Sequence, residues 1–254
     1  MPGAAARQPE RSRRRLWTHA RAALAAGLLL RLAAPARALE VRLPPPGSDG
    51  WRPQALPRVA RATRYDPFVE DGVAGVRSRS ECSASALLLP LPEIDLQRTP
   101  RLRWRWKVED PLPPHPERSK AGDDFAARVY VMFRFDPAHA SLLERARHRL
   151  AALLYGPDVP GNALDYVWTT GEPAGARWSN PFTDAAWMIS LGRGPLPVWR
   201  TEEVDVTADY RARFGTAPPA VLGLALMTDS DNGCSRAGAA FADFAFLGPA
   251  EAAP

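Results

Sequence analysis

Between Arg101 and Val108 the chain reads RLRWRWKV, with Leu102, Trp104, Trp106 and Val108 on one parity and Arg101, Arg103, Arg105 and Lys107 on the other. A period of two is the repeat of a strand with one covered face, because successive side chains of a helix turn by only 100° and would mix the two sets. Phe125–Phe135 (FAARVYVMFRF) repeats the device, with Phe125, Ala127, Val129, Val131, Phe133 and Phe135 alternating against Arg128, Tyr130 and Arg134. Seven further segments bounded by Gly, Pro, Asp or Asn fit short strands: Val73–Ser80, Ser83–Leu89, Leu164–Thr170, Trp187–Leu191, Glu203–Val206, Val221–Met227 and Ala239–Leu247. Short strands at modest spacing predict an all-β chain folded as an antiparallel β-sandwich. Helical spacing occurs in Ala140–Tyr155, where Leu142, Leu143, Ala146, Leu150 and Leu154 recur before Gly156-Pro157. This segment reads as one surface helix inserted between two strands, and Ala208–Phe214 as a second, shorter helix.

The 27 prolines and 18 glycines agree with short elements and frequent turns. The formal charge of +5 invites a nucleic-acid reading, but eight arginines and one acid fall in residues 1–38, and the remainder holds 25 basic against 27 acidic residues. A phosphate-tracking surface therefore has no global support. The basic segment instead has the features of an export signal: arginines, an apolar stretch Ala22–Leu30, and Ala36 and Ala38 before a cleavage point at Leu39. Ser12–Trp17 approximates a twin-arginine motif, leaving general secretory and twin-arginine export both open. The apolar stretch is too short to span a bilayer, and no longer one follows it. The expectation is a signal peptide over 1–38 and a single β-sandwich domain over 39–254, located in the periplasm or secreted, with no transmembrane segment. In an oxidising compartment Cys82 and Cys234 either pair or stand as two separate buried thiols.

The chemical templates of common enzymes are missing. Beyond residue 38 there are three histidines, His115, His139 and His148, with no HxH, HExxH or CxxC spacing, and there is no GxSxG, GxxxxGK[ST] or GxGxxG. Three polar clusters remain. Lys120 precedes Asp123 and Asp124, with Arg128 just beyond; Tyr166 and Trp168 precede the segment Ser179–Thr183, which contains Asn180; and Thr228 leads into Asp229, Asp231 and Asn232. The last resembles the start of a calcium loop, yet its Gly233 falls early and Ala240 stands where an EF-hand needs Glu. A calcium site built from this loop and distant residues is the alternative to an Asx-rich turn.

In order, LRWRWKVE, KAGDDFAARVYVMF, LDYVW, SNPFT, DVTADYRARFG and ALMTDSDNG…AAFADFAF resemble a family of exported bacterial proteins known as domain of unknown function 3047, over about Tyr65 to Leu247. The resemblance implies an exported domain without an assigned activity. Asp243–Phe246 is also similar to the last strand of galactose-binding-like jelly rolls, which often serve as carbohydrate-binding modules. Cys82 and Gly233-Cys234 depart from the family's pattern, which favours their pairing with each other. The leading expectation is a non-catalytic jelly roll binding a carbohydrate or cell-envelope glycan through Lys120, Asp123, Asp124, Arg128, Tyr166, Trp168, Asn180, Asp229, Asp231 and Asn232. One alternative is a glycan hydrolase or lyase using an Asp pair. Another is an envelope module that docks a protein and takes no small ligand.

Overall fold

The computed structural model describes residues 39–91, 93–155 and 159–250; the expected signal peptide and the Gly156-Pro157 helix stop lie outside the described residues. In chain order the elements are β1 (Glu40–Arg42), β2 (Arg52–Ala55), β3 (Arg64–Glu70), β4 (Val73–Glu81), β5 (Ser85–Pro90), β6 (Arg101–Asp110), β7 (Arg128–Phe133), α1 (Leu142–Tyr155), β8 (Asn162–Val167), β9 (Arg177–Asn180), β10 (Thr183–Ser190), β11 (Arg200–Asp205), α2 (Val206–Phe214), β12 (Val221–Met227) and β13 (Arg236–Leu247). One sheet runs β11-β6-β13-β4-β3 with β1 added beside β13; the other runs β2-β5-β12-β7-β8-β10-β9. The architecture is the expected jelly-roll sandwich with an inserted helix.

One pairing corrects the expectation of wholly antiparallel sheets. After β8 the chain crosses loop 168–176, lays down β9 as the sheet edge and turns back as β10 between β9 and β8, so β10 runs parallel to β8. The loop is held by Glu117, a buried carboxylate that accepts from the backbone N–H groups of Thr170, Gly171 and Glu172.

The period-two reading of β6 holds: Leu102, Trp104, Trp106 and Val108 are fully buried against Val129, Val131 and Phe133 of β7 and Leu164 and Tyr166 of β8. Phe241, Phe244 and Phe246 of β13 enter the same core although 241 and 244 differ in parity. A bulge between Ala242 and Ala245 resolves this, with Asp243 in the left-handed region at φ 58°, resetting the alternation so that all three rings point inward. The expected strand over Phe125–Phe135 begins only at Arg128, and Phe125 joins Val167, Trp178 and Met188 in a small cluster on the outer face of the seven-stranded sheet.

Both helices start where local chemistry dictates. Before α1, Ser141 and Glu144 form a reciprocal capping box: Ser141 N–H donates to Glu144 at 2.7 Å and Glu144 N–H to Ser141 Oγ at 3.3 Å. Asp205 accepts from Ala208 N–H to start α2, and Gly215, at φ 72°, closes it by donating to the Arg211 carbonyl.

Candidate functional site

Arg128 is the first residue of β7 and points away from the core by the strand's alternation, yet its side chain is only 1% exposed. Three segments supply the carboxylates around it. Its guanidinium donates to Asp123 at 3.2 Å from the preceding loop, Asp165 at 3.0 Å from the outer parity of β8, and Asp229 at 2.8 Å from the turn after β12. The Phe125 ring lies 4.7 Å from the guanidinium carbon. Burial opposes the charge on Arg128, but the three carboxylates outweigh it and hold its pKa well above the ordinary value. One cation cannot neutralise three acids. Burial pushes the Asp165 carboxyl up to about 6 and Asp229 well above the carboxylate range, in each case against the pull of Arg128. Asp165 Oδ1 has no hydrogen-bond partner among the described residues.

A second layer sits above this hub. Asp124 accepts from the N–H groups of Asn232 at 3.0 Å and Gly233 at 2.6 Å, while Asn232 Nδ2 donates to the Lys120 carbonyl at 2.8 Å. The Cys82–Cys234 disulfide ties the same turn to the end of β4. Asp124, Asp229 and Asp231 each place one carboxylate oxygen within 4.8 Å of the others, a spacing a hard cation such as calcium could bridge. Asn180 donates to Asp123 at 3.1 Å and accepts from Phe182 N–H at 2.9 Å. That turn presents Phe182 to solvent at 56% exposure, with Lys120 Nζ 5.5 Å from its ring centre.

The structure therefore gathers Lys120, Asp123, Asp124, Arg128, Asn180, Asp229, Asp231 and Asn232 at one end of the seven-stranded sheet. Tyr166 and Trp168 do not join them. They lie on the inner parity, where Tyr166 O–H donates to Asp209 at 3.1 Å and Trp168 packs 6.0 Å from Trp106. Asp165 and Phe182 belong to the region without having been assigned to it; a carboxylate inside the apolar run LDYVW was the available signal for the first. A hydrolytic carboxylate pair must face its substrate. Asp123 and Asp229 instead face Arg128 and are buried.

The raised carboxyls set a pH dependence. An unfolded Asp titrates near ~3.9, so the native state retains protons that the unfolded chain has released. The Asp165 contribution is fully present below that value and lost as pH rises through about 6, with Asp229 acting in the same direction. Thermal midpoints should rise on acidification from pH 8 to pH 5, and Asp165→Asn should flatten the slope. At lower pH Glu109 acts oppositely: burial raises it, but hydrogen bonds from Lys107 and Arg77 hold it below its ordinary value. A midpoint falling steadily from pH 8 to pH 5 would contradict the raised carboxyls of the hub.

Among solved structures the chain is similar to a family 30 carbohydrate-binding module of a Clostridium thermocellum cellulosomal cellulase, at 10% identity and TM-score 0.43, covering 84% of this chain and 99% of that one. A family 11 carbohydrate-binding module from Clostridium thermocellum, in complex with a mixed-linked tetrasaccharide, matches at 9% identity and TM-score 0.39 over 84% and 98%. A cellulase derived from a Rhodothermus marinus enzyme matches at 14% identity and TM-score 0.38 over 83% and 99%. No curated protein matches the chain. The family model described as protein of unknown function (DUF3047) matches residues 49–245, and the chain belongs to that family.

Proposed function

We propose that this protein is a non-catalytic β-sandwich that binds a carbohydrate or cell-envelope glycan after export, at the sheet end marked by Phe182. The observation carrying this reading is that Phe182 is the one exposed Phe, Tyr or Trp among the described residues, held beside Lys120 and the Asp123–Asn180 pair. Burial normally removes such a ring from water, whereas a sugar's C–H face covers one and its hydroxyls take neighbouring donors and acceptors. The disulfide supports an oxidising location, periplasmic or secreted.

The test is calorimetric titration of the oxidised protein with neutral and acidic oligosaccharides. Phe182→Ala should weaken binding by about tenfold, the ~1.4 kcal/mol scale of a lost aromatic contact, with no change in thermal midpoint because the ring packs little. Unaltered affinity in this variant, or no binding by any sugar, overturns the reading.

One observation favours a second reading, docking of an envelope protein partner: Leu142, Leu143 and Leu150 of α1 are 83, 58 and 59% exposed. Replacing all three by Ser should abolish capture of such a partner and leave sugar binding intact.

A further inference from the structure

Phe182 also borders a cavity of about 820 Å³ beside α1 and α2, within the ~300–1,000 Å³ usual for small-ligand sites. Helix α1 meets it in an inverted sense. The hydrophobic effect should turn leucines inward, yet the exposed Leu142, Leu143 and Leu150 face water while Glu144, Arg147 and His148 line the cavity. An inward polar face calls for polar contents.

Three arginines line this space, Arg134, Arg147 and Arg213, and none has a hydrogen bond or ion pair to its side chain among the described residues. Arg213 is held over the Trp187 ring at 4.4 Å, with its Nε buried and unpartnered. The acids of the lining are largely engaged. Asp136 accepts from Ala138 N–H and pairs with His139, and Glu144 completes its capping box, leaving Asp184. In formal charge the three arginines are balanced by Asp136, Glu144 and Asp184, but Asp136 and Glu144 are turned to their own turn and cap, so the guanidinium forks are the groups left to face the cavity, and such forks match carboxylates in shape. Asn162 adds a second unmet group. Its Nδ2 donates to Tyr210 O–H at 2.9 Å while its Oδ1 is buried without a partner. Whichever way that amide is turned, one of its polar atoms is left without a partner among the described residues. Aromatic surface completes the lining, with Phe135 stacked on His148 at 3.9 Å, and Phe182 at the edge.

We infer that this cavity is an acidic-sugar site, in which Arg134, Arg147 and Arg213 take the carboxylate of a uronic acid residue while Asn162 meets a hydroxyl. The inference rests on the carbohydrate reading above and narrows it to anionic glycans.

The experiment titrates the oxidised protein with an oligouronate, its methyl ester, a neutral oligosaccharide of equal length, and inorganic phosphate. The oligouronate should bind at least tenfold tighter than the ester and the neutral sugar, and phosphate should not compete. Arg147→Gln and Arg134→Gln should each reduce oligouronate affinity about tenfold, the ~1.4 kcal/mol scale of one charge-assisted hydrogen bond, with thermal midpoints unchanged. Equal binding of charged and neutral sugars, or arginine variants that bind as the parent does, overturns the acidic-sugar inference and leaves the carbohydrate reading standing. Phosphate binding as tight as the oligouronate overturns the sugar assignment of this cavity. Binding by neither sugar removes both readings together.

Discussion

Replacing Arg128 by Met is expected to destabilise the fold by about 3–5 kcal/mol at pH 7.5, the range for breaking a buried ion pair by removing one partner. Asp123, Asp165 and Asp229 would then share a dry site with no cation, and their mutual repulsion would add to the burial penalty. The sign of the pH dependence identifies the cause. Protonation relieves uncompensated carboxylates, so the deficit against the parent protein should shrink as pH falls from 7.5 to 5, whereas a packing defect would cost the same at both. Adding Asp165→Asn and Asp229→Asn to Arg128→Met should restore part of the loss for the same reason. The exposed pair Arg236–Glu81 provides the contrast, since Arg236→Met should produce no measurable shift. Urea unfolding checks all of these, and a loss below about 1 kcal/mol for Arg128→Met would mean that the hub is not buried from water as described.

Reducing the Cys82–Cys234 bridge, or replacing both cysteines by Ser, is expected to cost up to about 5 kcal/mol on the chain-entropy account of a long closed loop. The two residues are 152 apart in sequence, near the upper end of what one cross-link can contribute. Cys234 also closes the turn whose Asn232 and Gly233 N–H groups bind Asp124, so the loss extends to the site. The expected result is a lower thermal midpoint in reductant together with faster amide exchange at 231–235 than in β12. An unchanged midpoint would show that hydrogen bonding alone fixes the turn.

Alternating strands and apolar runs bounded by turn residues were legible in sequence. Val221–Met227 matches β12 residue for residue, and β6 and β4 differ by only a residue or two at one end. β1, β2, β3 and β9 were not legible, and each has a physical reason. β1 and β2 are exposed on both faces and so carry no alternation, β3 is an edge interrupted by Pro67, and β9 is four residues paired only to β10. The site was legible as polar clusters but not as a convergence. Charged residues in sequence look solvated, and nothing local to Asp165 or Asp229 reveals that Arg128 lies between them. Facing was equally hidden in β8, where five consecutive residues are buried and hydrophobicity cannot tell the parity of Asp165 from that of Tyr166. The cysteines allowed two outcomes, and three-dimensional proximity decided for the bridge.

The position of β13 bears on how the chain is made. Among the described residues it is the thirteenth strand in chain order, made after β4 and β6, yet it lies between them and joins the two halves of their sheet. Before residues 236–247 are synthesised, β6 and β4 each present an unpaired edge, and Trp104 and Trp106 lack the phenylalanines that cover them. A nascent chain halted before Arg236 is therefore a sticky intermediate, and this sheet cannot close until β13 has been made.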